Sequence, residues 1–235
     1  MIQSMIKYRT LPLKAQTAIA MFAIGGTFAV ASTVLFEPFH SPVRFLILLT
    51  LAVATANRKF RLYRDSSISF LTSVTLLSIL VAGTTEAILI AICGVGIQTY
   101  LPSRKLVLYR LVFNAGMIAL TVKASCWIYT FSMMHPEAGI PNQLVAVIAA
   151  SSVYYLGNST SVSLMIALTT GARLLPLWNT HFAASAPSFL MAGLLSMLAS
   201  EVTTKLFMSP MLLLILPVVV GSYYFTLRLV ESRGC

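Results

Sequence analysis

Asn57-Arg58-Lys59-Phe60-Arg61-Leu62-Tyr63-Arg64 sets four cations in one gap between two apolar runs, 45–57 and 67–84. The other cations recur in every second gap. Lys7, Arg9 and Lys14 precede the first apolar run, and Arg104, Lys105 and Arg110 follow the fourth. Arg173 follows the sixth, and Arg228 and Arg233 the last. The intervening gaps hold only Arg44 and Lys205 as cations, but four of the six acids: Glu37, Glu86, Glu137 and Glu201. Positive charge is retained on the cytoplasmic side during insertion. The pattern therefore predicts an all-α, polytopic transmembrane bundle of about eight helices, with both termini cytoplasmic.

Composition points the same way. The chain is 58% hydrophobic and 9% charged, with mean hydropathy +0.88. A soluble domain carries about 25% charged residues, so these side chains cannot clothe a water-facing surface. The net charge of +10 is explained by loops lying beside anionic lipid headgroups. The expected partner is thus the lipid bilayer, not nucleic acid. No loop is long enough for a soluble domain, so residues 1–235 read as one integral membrane domain. Ala29-Val30-Ala31-Ser32 loosely resembles a signal-peptide cleavage site. The apolar stretch runs on through Phe36 to a spanning length, which favours a retained anchor. Cys93, Cys126 and Cys235 show no metal-binding or redox spacing.

The apolar segments are 15–36, 45–57, 67–84, 87–102, 111–132, 143–171, 187–200 and 210–227. The second, fourth and seventh are short for a bilayer core of ~30 Å. Asp65 is placed to cap the third helix. Pro176 and Pro187 bracket the longest cytoplasmic loop, and Pro217 should kink the eighth helix.

The sixth segment is the most unusual. At 1.5 Å per residue it would reach ~43 Å if straight. Its middle reads Tyr154-Tyr155-Leu156-Gly157-Asn158-Ser159-Thr160-Ser161. A glycine followed by polar residues at membrane depth suits a broken or tilted helix lining a cavity. Ser151, Tyr155, Asn158 and Ser161 fall near one face. In the fifth segment, Asn114, Thr121 and Ser125 share a face. Two roles fit these residues: hydrogen bonding between helices, or a ligand site. The candidate ligand-binding set is Asn114, Thr121, Tyr155, Asn158 and Ser159, around a small cavity open to the bilayer or the outer face.

Lys123 is the one cation well inside an apolar run. It either snorkels to an interface or pairs with Glu86 or Glu201. Ser188, Ala192, Ser196 and Ser200 form a ladder of small residues at intervals of four. Such a ladder serves a seam within the bundle or a homodimer face; the number of seams in an eight-helix bundle favours the first. His40 and His135 fall at outer loops and His181 in a cytoplasmic one, so they form no common site. No HExxH, phosphate loop, Gly-x-Ser-x-Gly or paired carboxylate occurs. The expectation is no catalytic residue, no metal, no cofactor and no enzymatic activity.

Several short pieces keep a familiar order: Ser67-Ile68-Ser69-Phe70, Phe113-Asn114-Ala115, Tyr155-Leu156-Gly157-Asn158-Ser159, Leu177-Trp178-Asn179 with Phe182, and Leu216-Pro217 followed by Tyr223-Tyr224 and Arg228. From about 66 to 228 the chain resembles the MASE-type multi-helix membrane sensor regions that precede bacterial HD-GYP phosphodiesterase or GGDEF cyclase domains. The resemblance implies a sensor in the bacterial cytoplasmic membrane, relaying a signal through its last helix to a cytoplasmic signalling protein. The chain stops at Cys235, where an output domain would begin. It is therefore expected to have no cyclic-dinucleotide chemistry of its own. Val81-Ala82-Gly83-Thr84-Thr85-Glu86-Ala87 also resembles, more loosely, the substrate-binding subunits of energy-coupling-factor vitamin transporters. That alternative implies a membrane subunit that docks on a transport ATPase.

Overall fold

The computed structural model describes residues 8–56, 59–63, 66–101, 107–135 and 142–206. The apolar segment 210–227 with Pro217, the Asp65 cap, the outer-loop Glu137 and Cys235 lie outside the described residues. The chain falls into two compact units, Met1–Met197 and Leu198–Cys235. In the second unit the described residues are 198–206.

Helix makes up nearly all of the described residues of the first unit. The α-helices are α1 Leu13–Phe36, α2 Pro42–Thr55, α3 Phe70–Val81, α4 Thr84–Tyr100, α5 Leu108–Met134, α6 Asn142–Thr170, α7 Leu174–His181 and α8 Ala186–Leu206. Two short strands, β1 Lys59–Tyr63 and β2 Ser66–Ser69, pair antiparallel between α2 and α3. The third apolar segment thus begins as strand, and its helix starts at Phe70, not at 67. Three stretches are long and apolar enough to cross a bilayer: Leu13–Phe36, Leu108–Met134 and Leu174–Val202. This is a membrane protein. Met21, Ile24, Phe28 and Leu35 on α1, and Trp127 on α5, are exposed, as side chains facing lipid must be. Helices α2, α3 and α4, at 14, 12 and 17 residues, fall short of the ~20 residues a full crossing takes.

Helix α5 is the centre. It packs most extensively on α6, α1 and α4. The main core joins Leu76 and Ile79 of α3, Ile88 and Ala91 of α4, Ile118 and Val122 of α5, Tyr154 of α6 and Ala192 of α8. Without a hydrophobic force between helices in lipid, close packing does the joining, and small residues permit it. The α1–α5 crossing shows how. A Cβ on Gly26 would overlap the Gly116 backbone, and one on Gly116 would overlap the Phe22 carbonyl oxygen. Helix α6 ends at Gly171, whose φ of 73° suits glycine at a helix C-terminus.

Several buried hydroxyls are satisfied within their own helix. Thr75, Ser78 and Ser125 donate to the carbonyls of Leu71, Val74 and Thr121, four residues back, at 2.8–2.9 Å. Two charged groups find partners inside the bundle. Lys123 donates to the hydroxyl of Ser32 on α1, so its partner is neither of the acids expected from the sequence. Glu86, 1% exposed, sits in the first turn of α4, where the helix dipole favours an acid. Its Oε1 accepts the His40 backbone N–H at 2.5 Å and lies 3.6 Å from His40 Nδ1. Ser188, Ala192 and Ser196 are buried, and Ser196 Oγ lies 2.8 Å from the Ser73 carbonyl of α3. That part of the small-residue ladder is a seam inside the chain.

Overpacking a close helix crossing costs ~1–3 kcal/mol. Gly116→Leu should therefore lower the melting temperature of the detergent-solubilised protein clearly. Gly96→Ala should leave it unchanged, because a Cβ there meets only Leu111 Cδ1 at 3.6 Å. Equal melting of the two variants would contradict the α1–α5 crossing.

Candidate functional site

Helix α6 is overlong, at 29 residues, and of the two expectations, a break or a tilt, the break at Gly157-Asn158 does not occur. The break lies opposite it. Helix α7 stops at His181, a 3-10 turn occupies Ala183–Ser185, and α8 resumes at Ala186. The pairs along the two stretches run in opposite order. Trp178 meets Ser159, Phe182 and Phe189 meet Tyr155, and Gly193 meets Ser151. Residues 174–197 thus run back along α6. The expected cytoplasmic loop between Pro176 and Pro187 is the second half of α7, a 3-10 turn and the start of α8, and both prolines lie in first turns of helices, where a missing N–H costs nothing.

The polar middle of α6 is what secures this break. A helix interruption frees backbone groups that lipid cannot satisfy. The Phe182 carbonyl accepts the Tyr155 hydroxyl at 3.0 Å, the Ser185 N–H at 2.9 Å and the Ser185 hydroxyl at 2.7 Å. The indole N–H of Trp178 donates to Ser159 Oγ at 3.0 Å. The Tyr155 ring also stands 6.0 Å from that of Trp178 and 5.3 Å from that of Phe189.

Beside the break lies a cavity of about 380 Å³. Asn158 and Ser159 of α6 line it, with Gln98 near the end of α4, Ser69 just before α3, and His181 and Ser185 at the break. Phe182, Phe189 and Tyr154 give it aromatic wall. The amides of Gln98 and Asn158 make no hydrogen bond with any described residue. Ser151 Oγ and Ser163 Oγ, buried on α6, also lack partners among the described residues. The start of α3 and the end of α4 border the basic gaps, so the cavity lies at that end of the bundle.

The five residues singled out from the sequence are not brought together. Asn158 and Ser159 line this cavity, and Tyr155 is buried against the break. Thr121 is packed in the α5–α6 seam, where a Cβ on Gly157 would approach its Oγ1 to 2.8 Å. Asn114 donates through Nδ2 to Thr99 Oγ1 of α4 at 2.9 Å and lines a different cavity. Gln98 and His181 were missed. Gln98 had a signal, a lone amide in an apolar run; His181 had none, because nothing in residues 172–186 announces that they fold back beside α6. No group of three His, Cys, Asp or Glu side chains among the described residues could hold a metal.

No protein-family model, curated protein or solved structure matches the chain.

Tyr155→Phe and Trp178→Phe each delete one hydrogen bond at the break, worth about 1 kcal/mol. Both should speed amide hydrogen exchange across 178–189 while leaving α5 protected. Unchanged exchange at 178–189 in both variants would mean that the break is held by other contacts.

Proposed function

We propose that the chain is an integral membrane sensor whose ligand site is the cavity beside the break in the α7–α8 stretch. The observation that carries this reading is the pair of amides, Gln98 and Asn158, facing one cavity without a partner among the described residues. Both residues are half-buried and border the open space of the cavity. These two are answered by water or by a ligand. Hydroxyls satisfy themselves on the preceding turn, whereas an amide must reach outward to its partner.

The same cavity touches the break. Phe182, Ser185 and Ser188 line it, so a ligand resting there contacts the residues at which α7 gives way to α8. A ligand shifts a two-state equilibrium by its differential affinity for the two states. Here those states are two arrangements of the break, and the signal passes toward the last helix and a cytoplasmic signalling partner. The protein has no catalysis of its own in this reading. It resides in the bacterial cytoplasmic membrane with eight crossings and both ends inside, a topology supported by thirteen cations in alternate gaps against two in the others. The seventh crossing then begins at Leu174, just after Arg173.

Two experiments test this. Ligand binding stabilises the folded state by RT ln(1 + [L]/Kd), so a metabolite and lipid screen by thermal shift in detergent should find a stabilising compound. Asn158→Leu and Gln98→Leu should abolish that shift while the variants still melt cooperatively. Stabilisation that survives both substitutions would remove the site. For the topology, reporters fused after Glu137 and after Cys235 should fall on opposite sides of the membrane; same-side signals reject it.

A further inference from the structure

The cavity beside the break touches the last turn of α4. At the other end of that helix, the link between α1 and α2 is tied to the turn between α3 and α4. Thr85 Oγ1 lies 3.3 Å from the Thr33 carbonyl oxygen and 3.5 Å from that of Glu37. Arg44 Nη1 donates to the Val81 carbonyl at 3.4 Å. A third tie is the His40 backbone N–H, which donates to Glu86 Oε1 at 2.5 Å. This tie brings together two side chains that exchange protons. Glu86 is 1% exposed and His40 58% exposed, with His40 Nδ1 standing 3.6 Å from Oε1. Gly83 permits the meeting: a Cβ there would collide with Glu86 Oε2 and with the His40 ring. The φ of Gly83 is −89°, so glycine serves close approach here and not an unusual backbone.

We propose that His40 and Glu86 form a proton-operated clasp, closed on α4 while the imidazole is charged and loosened when it is neutral. The carboxyl is the fixed half. It is taken out of water, and a buried carboxylate is retained where an opposite charge and hydrogen bonds meet it. Its Oε1 has the His40 N–H, and its Oε2 has no hydrogen-bond partner among the described residues. A charged imidazole at Nδ1 supplies the opposite charge, and a neutral one withdraws it. The imidazole is the responsive half. Being exposed, it takes its proton from water, and histidine is the side chain whose charge ordinarily changes between pH 5 and 8. The moving part is residues 37–41, which lie outside helix between the end of α1 and the start of α2. Other titratable or charged side chains come to this end from the elements around α4. They are Glu37 after α1, Arg44 on α2, Cys126 beside Thr84, and Tyr129 and Lys123 on α5. Helix α3 carries none in Phe70–Val81. None of these others is a histidine. The clasp is independent of the cavity beside the break and of the reading built on it.

The test is amide hydrogen exchange of the full chain in detergent at pH 6 and pH 8. Rates are expressed as protection against the intrinsic rate at each pH, so that the chemistry of exchange itself drops out. Proton loss by His40 removes the attraction, so protection should be greater at pH 6. Residues 39–41 and 84–87 should lose about two- to fivefold of it by pH 8, the size expected of a pair screened on its exposed side. The middle of α5 should not change. His40→Gln keeps the backbone N–H and removes the titrating ring, so its protection should be the same at both pH values. Glu86→Gln keeps the volume and removes the negative charge, and should level the two values as well. Gly83→Ala keeps both titrating groups but parts them, and should also abolish the difference. His40 is exposed, so His40→Gln decides the matter even where Glu86→Gln or Gly83→Ala fails to fold. Equal protection of the wild-type chain at pH 6 and pH 8, or greater protection at pH 8, would overturn the clasp. A difference that persists in His40→Gln would overturn it too, by assigning the response to another group.

Discussion

Inside hydrocarbon a polar group can turn only to the protein around it, and the described part of this chain is organised by where those groups find partners. Backbone groups are met within helices. Threonine and serine hydroxyls turn back onto the preceding turn, as at Thr75, Ser78 and Ser125. The one described cation at depth, Lys123, reaches a hydroxyl on a neighbouring helix. The α7–α8 break is tolerable because α6 brings Tyr155 and Ser159 to it. Among the described residues, what remains unanswered is Glu86 Oε2 and the hydroxyls of Ser151 and Ser163 in buried positions, and the half-buried amides of Gln98 and Asn158 in one cavity.

The sequence makes the membrane class and most helix positions readable, because apolar run length and basic gaps are set by the bilayer and not by tertiary detail. The start of α1, the length of α6 and the small residues of α8 all follow from spacing alone. The location of the break does not. Gly157 and the polar residues after it carry the usual marks of an interrupted helix. In the structure Gly157 is there because Thr121 packs against it, and the polar side chains serve an interruption in the next stretch. Polarity in one helix can compensate for irregularity in another, and a single sequence does not say which of the two is irregular.

The candidate site shows the same limit. Facial spacing placed Asn114, Thr121 and Asn158 on faces of two helices that do pack together, but spacing carries no relative depth. Asn114 lies within the first two turns of α5 and finds Thr99 there, while Asn158 lies about three turns from the end of α6. The residues that complete the cavity, Gln98 and His181, enter from α4 and from the folded-back α7. Their proximity is a product of the tertiary fold. Strand pairing at Ser66–Ser69 escaped for a related reason, since a short polar run beside an apolar one reads equally as a helix start.

The two tryptophans divide the molecule's intrinsic light emission between its two environments. Trp127 lies on the outer flank of α5, 65% exposed, with its ring stacked on Phe131. Trp178 is half-buried at the break, its indole N–H committed to Ser159. One indole therefore samples lipid, and the other samples the contact on which the interruption depends. Fluorescence from a chain carrying only Trp178 would follow the state of the break directly, in the native membrane, without any attached dye.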